Sequence, residues 1–425
     1  MAFQAMIEND PQGCWSGGST KPVVAWVSNS LPPYRLYSFR RIIQEIPEIE
    51  FWSLFTHGPG QSSANLPWKQ EYQDDIRPVA FHSGDPVPKG FRLSAARREW
   101  RKGKRMIQWM KQHKVRAVIV AGYNDLGRVR VIRWCGRNGI PCFLVADSNI
   151  LGDRASGLRA VMKRVLLRSL LRNCTGVMPC GSCGKDYFRR YGVSDERMFL
   201  VPYESDFSLF QRSASAEIER LCLTHGLAVS RKRLVYGGRL VDVKRVDLLI
   251  DAFVALAPNR PNWDLLIIGD GPLRESLRDR IPSEFQGRIL WKGFVEEPSV
   301  LADLYRCCDV LVLPSDVEPW GIVITEAAAA GLAIVASDVV GAAYDLVQRG
   351  VNGILFTAGQ SALLLEALLE VTDEFKIERF RGASPQIFRQ WRAAADPIQG
   401  LRRALTFAEV INTESPGSQS LAVVD

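Results

Sequence analysis

Short runs of β-branched and aromatic residues alternate along this chain with stretches whose apolar positions recur every three or four residues. In the first half the runs are PVVAWVSN, EFWSLF, RAVIVAG, PCFLVAD, TGVMPCG and MFLVPYE, and between them lie helical patterns such as YRLYSFRRIIQEI and GRVRVIRWCGRN. In the second half LVYGGR, DLLIIGDG, RILWKGF, DVLVLPS, AIVASD and GILF repeat the theme, separated by RVDLLIDAFVAL and SALLLEALLEV. Strands that alternate with helices in this way are parallel strands joined by crossovers, and their nearly continuous apolar character suits sheets covered on both faces.

The alternation pauses after Asp206, where FSLFQRSASAEIERLCLTHGLAVSRKR offers no strand. This divides the chain into a first doubly wound domain at 21–207, a linker region at 208–230 and a second doubly wound domain at 231–385. A helical segment at 386–410 follows. The polar, small-residue-rich ends, 1–20 and 411–425, are expected to be disordered tails. The fold class is therefore α/β, with two Rossmann-like domains facing each other across a cleft.

Length agrees, since 425 residues exceed one ordinary core and fit two. With 47% apolar and 24% charged residues the composition is that of a globular protein. No run approaches the roughly 18–20 apolar residues of a membrane span, and MAFQAMIENDPQGCWSGGS is too acidic and polar for a secretory signal. A cytoplasmic protein is expected. The nine cysteines form no regular framework, so reduced thiols are expected, and the Cys180-x-x-Cys183 pair lacks the second ligand pair that zinc needs.

The net charge of +8 is concentrated in two basic helices, RREWRKGKR (Arg97–Arg105) and LRAVMKRVLLRSLLR (Leu158–Arg172). Two readings stay open for them. One is a solvated helix face over an apolar underside; the other is peripheral contact with anionic lipid at the inner membrane face, or steering of a phosphorylated donor or acceptor. Nucleic acid is not expected as a partner, because no binding motif and no regular interleaving of aromatic with basic residues is present.

Parallel sheets bind ligands beyond the carboxyl ends of their strands, and two turns there carry unusual chemistry. After LVYGG comes Arg239, and Lys244 follows five residues later, a forked guanidinium and a point-charge ammonium suited to a diphosphate. After DVLVLPS comes SDVEPWG, where Pro319 and Gly321 break the chain before the helix IVITEAAAAG. The unpaired N–H groups and positive dipole end of that helix make an anion site. Glu318 stands at its mouth and Glu326 inside an otherwise apolar, small-residue helix, where a carboxylate wants hydroxyl partners such as those of a sugar.

The segment from Leu234 to Phe356, with GGRLVDVKRVDLLIDAF, LLIIGDGPL, ILWKGFV, CDVLVLPSDVEPWGIVITEAAAAGLAIVASD and VNGILF in order, resembles glycosyltransferase family 4, of the GT-B fold. The resemblance implies a retaining, metal-independent glycosyltransferase using a UDP- or GDP-sugar as co-substrate and no cofactor. It also implies that Arg239 and Lys244, with Gly238 beside them, bind the donor diphosphate, and that the backbone at Gly321, Ile322 and Val323 cradles the distal phosphate. Glu326 would hold the ribose, Glu318 the transferred sugar, and Gly293 to Val295, with Phe294 between, the nucleobase.

RAVIVAGYNDLGRVRVIRWCGRNGIPCFLVADSN in the first half resembles the family's middle strands. Many members carry a glycine-rich loop after their first strand, where this chain reads VSNSLPPYR, and a histidine where it has Asp147. Asp147 is thereby the candidate first-domain carboxylate facing the donor sugar. Asn29, Asn124, Ser148 and Asn149 also sit at predicted strand ends and are candidate contacts to sugar or acceptor hydroxyls. The acceptor, whether glycan, lipid-linked or small molecule, is not specified. The competing readings are a sugar-nucleotide epimerase and a nucleotide-sugar-binding protein without turnover. A dinucleotide oxidoreductase is disfavoured because GDGPLRES is not G-x-G-x-x-G.

Overall fold

The computed structural model describes residues 20–56, 72–81, 93–211 and 214–412. Each half forms a six-stranded parallel sheet. The first contains β1 (Val23–Ser28), β2 (Glu50–Phe55), β3 (Pro78–Ala80), β4 (Ala117–Ala121), β5 (Cys142–Ala146) and β6 (Gly176–Pro179), in the order β3-β2-β1-β4-β5-β6. The second contains β7 (Lys232–Gly237), β8 (Trp263–Ile268), β9 (Ile289–Gly293), β10 (Val310–Leu313), β11 (Ala333–Ser337) and β12 (Gly353–Phe356), in the order β12-β11-β10-β7-β8-β9. The apolar runs of β4, β5, β8 and β11 are buried along their whole length, as both-face coverage requires. In each sheet the strand order reverses at the middle, between β1 and β4 and between β7 and β10. Those reversals open the crevices that matter below.

All six strands expected in the second half are present. In the first half MFLVPYE is an extended connection instead. It runs beside β6, with Phe199 N–H donating to Val177 O (3.0 Å) and Val201 N–H to Pro179 O (3.0 Å). Pro202 supplies no N–H to continue the ladder. The third strand comes from the three-residue β3, too short to impose a period.

The interval between the domains also differs from a plain linker. Phe207, Phe210, Leu221, Cys222 and Leu227 enter the second domain's core, so 208–230 is part of that domain's packing. The boundary placed at 385 falls inside a single helix, Ile377–Ala394, whose Ile377, Phe380 and Trp391 join the same core. The last helix, Pro397–Phe407, then crosses back and buries Ile398, Leu401 and Leu405 under the first sheet. Asp396 starts it by accepting from the N–H groups of Ile398 (2.8 Å) and Gln399 (3.0 Å). Of the expected tails only residues 20, 411 and 412 are described, and Ile411 is buried in the first domain; the rest lie outside the described residues.

The two crossings are tied together by charge. Glu204, on the outgoing one, is buried and ion-paired with Arg41 (2.5 Å) and with Arg392. Asp396, on the return, pairs with Arg392 (2.9 Å) and Arg41 (3.2 Å). Burial pushes the Glu204 carboxyl up to about 7 against the pull of Arg392 and Arg41. Among the described residues no helix is long and apolar enough to cross a membrane.

The return helix tests this architecture. A Cβ on Gly400 would overlap the Leu200 carbonyl oxygen, whereas one on Gly382, in the preceding helix, would meet nothing within 4 Å. Gly400→Ala is expected to destabilise the protein by about 1–3 kcal/mol. Gly382→Ala is expected to be neutral or to stabilise it by about 0.5–1 kcal/mol. Urea unfolding midpoints of the two variants check the pair.

Candidate active site at the strand-order reversal

The crevice between β7 and β10 is built from the loops that leave those two strands. β7 passes through Gly237 and Gly238 to Arg239, which is exposed, and the Tyr236 hydroxyl donates to the Arg239 carbonyl (2.9 Å) to fix the turn. The chain then makes a single 3-10 turn, Asp242–Lys244, ended by Arg245 in the left-handed region at φ 51°. Asp316, in the loop after β10, donates its N–H to Val243 O (2.9 Å) and so joins the two loops.

That junction brings two of the candidate residues, one from each loop, into an ion pair. Lys244 Nζ forms an ion pair with Glu318 Oε2, and the two side chains are only 16% and 11% exposed. The loop under Glu318 is held by Gly341 N–H donating to Glu318 O (3.2 Å) and by Ala342 N–H donating to Trp320 O (2.8 Å). Gly321 follows at φ 88°, and a Cβ there would lie 3.1 Å from both Glu318 Cγ and Val340 Cγ1. Glycine is needed on both counts. It starts the helix Ile322–Ala329, whose first N–H groups, at Ile322 and Val323, have no intrahelical acceptor and no side chain to cap them. They stand at the positive end of the helix, in the same loop-to-helix segment as Glu318.

Glu326 lies one turn deeper and is 5% exposed. Burial pushes its carboxyl up to about 7, partly offset by the Ser205 hydroxyl, which donates to Oε1 at 2.6 Å. Ser205 belongs to the crossover between domains, and no pattern in the sequence links it to a glutamate 121 positions away. The Tyr305 hydroxyl, whose titration is pushed far up by burial and then by the Glu326 charge, is buried without a hydrogen-bond partner. On the β8 and β9 side, Gly269 N–H donates to Gly293 O (2.7 Å), and Phe294 is 38% exposed at the lip.

Across the crevice stands the first domain. Asp147 follows β5; burial raises its carboxyl above the usual range, against its own backbone N–H, the Tyr203 hydroxyl and the Arg35 charge. The Asn29 side chain accepts from Ser30 N–H (3.0 Å), and Asn124 is exposed. Ser148 is half-buried. Asn149 does other work than greeting a sugar. It is buried, its carbonyl accepts from Gly152 N–H (2.8 Å), and its amide donates to Pro319 O (2.5 Å), bracing the two domains. Arg154 adds a bond to Asp316 O (3.2 Å), and Ser182 N–H donates to Asp345 Oδ2 (3.0 Å).

Cys180 and Cys183 are both buried with raised thiols, and Cys180 packs in the second domain's core. Among the described residues no group of three or more His, Cys, Asp or Glu side chains is placed to hold a metal ion. A cavity of about 430 Å³ opens on the far side of the Lys244 turn. Its arginines are already paired, Arg245 with Asp316 (3.0 Å) and Asp247 (3.2 Å), and Arg280 with Asp251 (2.6 Å). The β7/β10 crevice differs in holding a helix start whose first N–H groups have no capping side chain.

Residues 231–374 match the family described as "Glycosyl transferases group 1". The uncharacterized glycosyltransferase MJ1607 of Methanocaldococcus jannaschii is 36% identical over 130 residues, 30% of this chain and 33% of its own length. The lipopolysaccharide core biosynthesis mannosyltransferase LpsB of Rhizobium meliloti is 32% identical over 157 residues, 35% of this chain and 44% of its own length. The matched region thus spans less than half of either relative. The structure of HepE from Anabaena in complex with UDP and glucose superposes with a TM-score of 0.67 at 19% identity, covering 91% of this chain and 99% of that one. That likeness extends over both domains and shows a shared fold.

The buried carboxylate gives a pH test. With its folded pKa above the ordinary value, Glu326 costs nothing below about pH 4.5 and becomes a penalty as pH rises through 7. Glu326→Gln is expected to match the wild type at pH 4 and to exceed it at pH 8 by up to about 3 kcal/mol. Urea midpoints at the two pH values check this; an unchanged difference would mean the carboxyl is not the one that titrates.

Proposed function

We propose that this chain, a GT-B protein whose residues 231–374 form a group 1 glycosyltransferase domain, moves a sugar from a nucleoside diphosphate sugar to a hydroxyl acceptor, with retention at the anomeric carbon and without a metal ion. The observation that carries the reading is the stacking, within one crevice, of an uncapped helix N-terminus, the Lys244–Glu318 ion pair and the buried Glu326.

Each part has a role in that reading. The N–H groups of Ile322 and Val323, with Arg239 and Lys244, receive the negative charge that develops on the departing diphosphate, the task a divalent ion performs elsewhere. Arrival of the phosphate draws Lys244 away from Glu318 and leaves that carboxylate beside the sugar. There it accepts from hydroxyls and stabilises positive charge building at the anomeric carbon. Glu326, held by Ser205, accepts from the ribose hydroxyls and is returned to its charged state by them. In the transfer step the bond from the anomeric carbon to the phosphate oxygen breaks as the acceptor oxygen attacks from the same face. The acceptor's proton passes to that phosphate oxygen.

Gly293 to Val295 is the proposed border of the nucleobase, with Gly238 next to the diphosphate and Asp147 the first-domain carboxylate facing the sugar. HepE, in complex with UDP and glucose, and LpsB, a lipopolysaccharide core mannosyltransferase, make a UDP- or GDP-hexose and a glycan acceptor the first substrates to try. The charge set at Arg239, Lys244, Glu318 and Glu326 is complete, which favours turnover over mere binding. Nothing at the crevice favours epimerisation.

Free nucleotide release from a panel of UDP- and GDP-sugars, with glycan acceptors, tests the proposal. Glu326→Ala is expected to weaken nucleoside diphosphate binding by about 10- to 100-fold, the loss of hydrogen bonds to a charged group. Glu318→Gln is expected to cut turnover by about 100-fold or more while leaving that affinity equal or tighter, because it frees Lys244. Equal, mild effects of both variants on binding and turnover would sink these roles; interconverted donor sugars would point to the epimerase.

A further inference from the structure

The helix Gly157–Leu171, GLRAVMKRVLLRSLL, wears its apolar residues on the wrong side for a soluble helix. Leu167, Leu170 and Leu171 pack into the first domain. Leu158, Val161, Met162, Val165 and Leu166 are instead 56–74% exposed. Their spacing of three, four, seven and eight residues places them in one stripe along the outer face. The sequence suggested an apolar underside; the helix in fact carries a second apolar face turned away from the domain. A patch of this extent on a monomer's surface marks an interaction site.

Charge says what covers it. From Gly157 to Arg172 there is no acidic residue, and Arg159, Arg164 and Arg172 are exposed beside the stripe. Lys163 is turned inward, paired with Asp153 at 2.8 Å, which orients the helix. In the same helical layer, the helix Leu93–Gln112 exposes Arg97, Arg101, Lys104 and Arg105. An apolar stripe on a helix whose own charges are all cationic fits the interface of an anionic bilayer, where the side chains enter the acyl boundary and the guanidiniums meet phosphate headgroups. A two-fold pairing with a second copy would set these same cations against each other.

We infer that the helix Gly157–Leu171 docks the protein on an anionic lipid surface through this stripe. The loop from β5 to the helix carries Asp147 and Asn149 and touches the second domain through Arg154 and Asp316, so the docking helix starts at the lip of the crevice. Resting on the transfer reading, this position favours an acceptor held at the membrane surface.

Vesicle co-sedimentation of the full chain decides the docking without any turnover, so its result is independent of the transfer reading. Binding is expected to phosphatidylglycerol-containing vesicles and not to pure phosphatidylcholine ones, and to fall at high salt. The exposed triple variant Val161→Ser, Val165→Ser, Leu166→Ser is expected to lose about tenfold or more of that binding with an unchanged thermal midpoint and unchanged nucleotide affinity. Arg159→Gln with Arg164→Gln is expected to weaken it and flatten the salt dependence. Equal binding to both vesicle types, no binding, a triple variant that binds as well as wild type, or self-association abolished by the triple variant would each overturn the inference, the last by assigning the stripe to a second copy.

Discussion

The reversal of strand order between β7 and β10 is the constraint on which the site depends. Because the crossovers leave those neighbouring strands in opposite directions, the loops after them part and leave a crevice that no helix fills. Into it project the turn carrying Arg239 and Lys244 and the N-terminus of Ile322–Ala329. Gly237 ends β7, Gly238 follows it and Gly321 precedes the helix, since the backbones must run close to one another there. On the proposed reading the uncapped N–H groups beside these polar residues would make an anion site before any side chain is considered.

Against that positive ground the protein sets carboxylates, and their cost is informative. Glu318 is compensated by Lys244, whereas Glu326 is buried with one hydroxyl donor and a raised titration. A buried charge with so little support is maintained at the expense of stability, and a ligand that brings two vicinal hydroxyls relieves it. Glu204 shows the other use of a buried carboxylate. It is also raised to about 7, yet Arg41 and Arg392 flank it, and with Asp396 they knit both chain crossings into one joint between the domains. On the proposed reading one carboxylate takes a partner from outside; the other has its partners within the fold.

Much of this was legible in the sequence because both domains bury strands on two faces, which writes them as apolar runs. β3 escaped notice, being three residues long, and MFLVPYE imitated a strand because it lies extended along β6 until Pro202. Arg239, Lys244, Glu318, Gly321 and Glu326 can be singled out as candidates because turn and helix-start chemistry is local. Ser205 was not, since its bond to Glu326 depends on how a crossover folds back over the second domain. Asn149 was picked out as polar at a strand end, but polarity does not reveal that its amide is spent on Pro319. The helix Gly157–Leu171 was read as basic, and only its packing distinguishes which of its leucines face inward.

The central claim is that Glu326 waits, protonated or costly, for ribose hydroxyls. Calorimetric titration of UDP near pH 7, in buffers of different ionisation enthalpy, measures it most directly by counting protons exchanged on binding. The account predicts that the wild type releases a fraction of a proton more than Glu326→Gln, because bound hydroxyls bring the carboxyl down from about 7. Identical proton counts for the two proteins, with UDP bound by both, would contradict it.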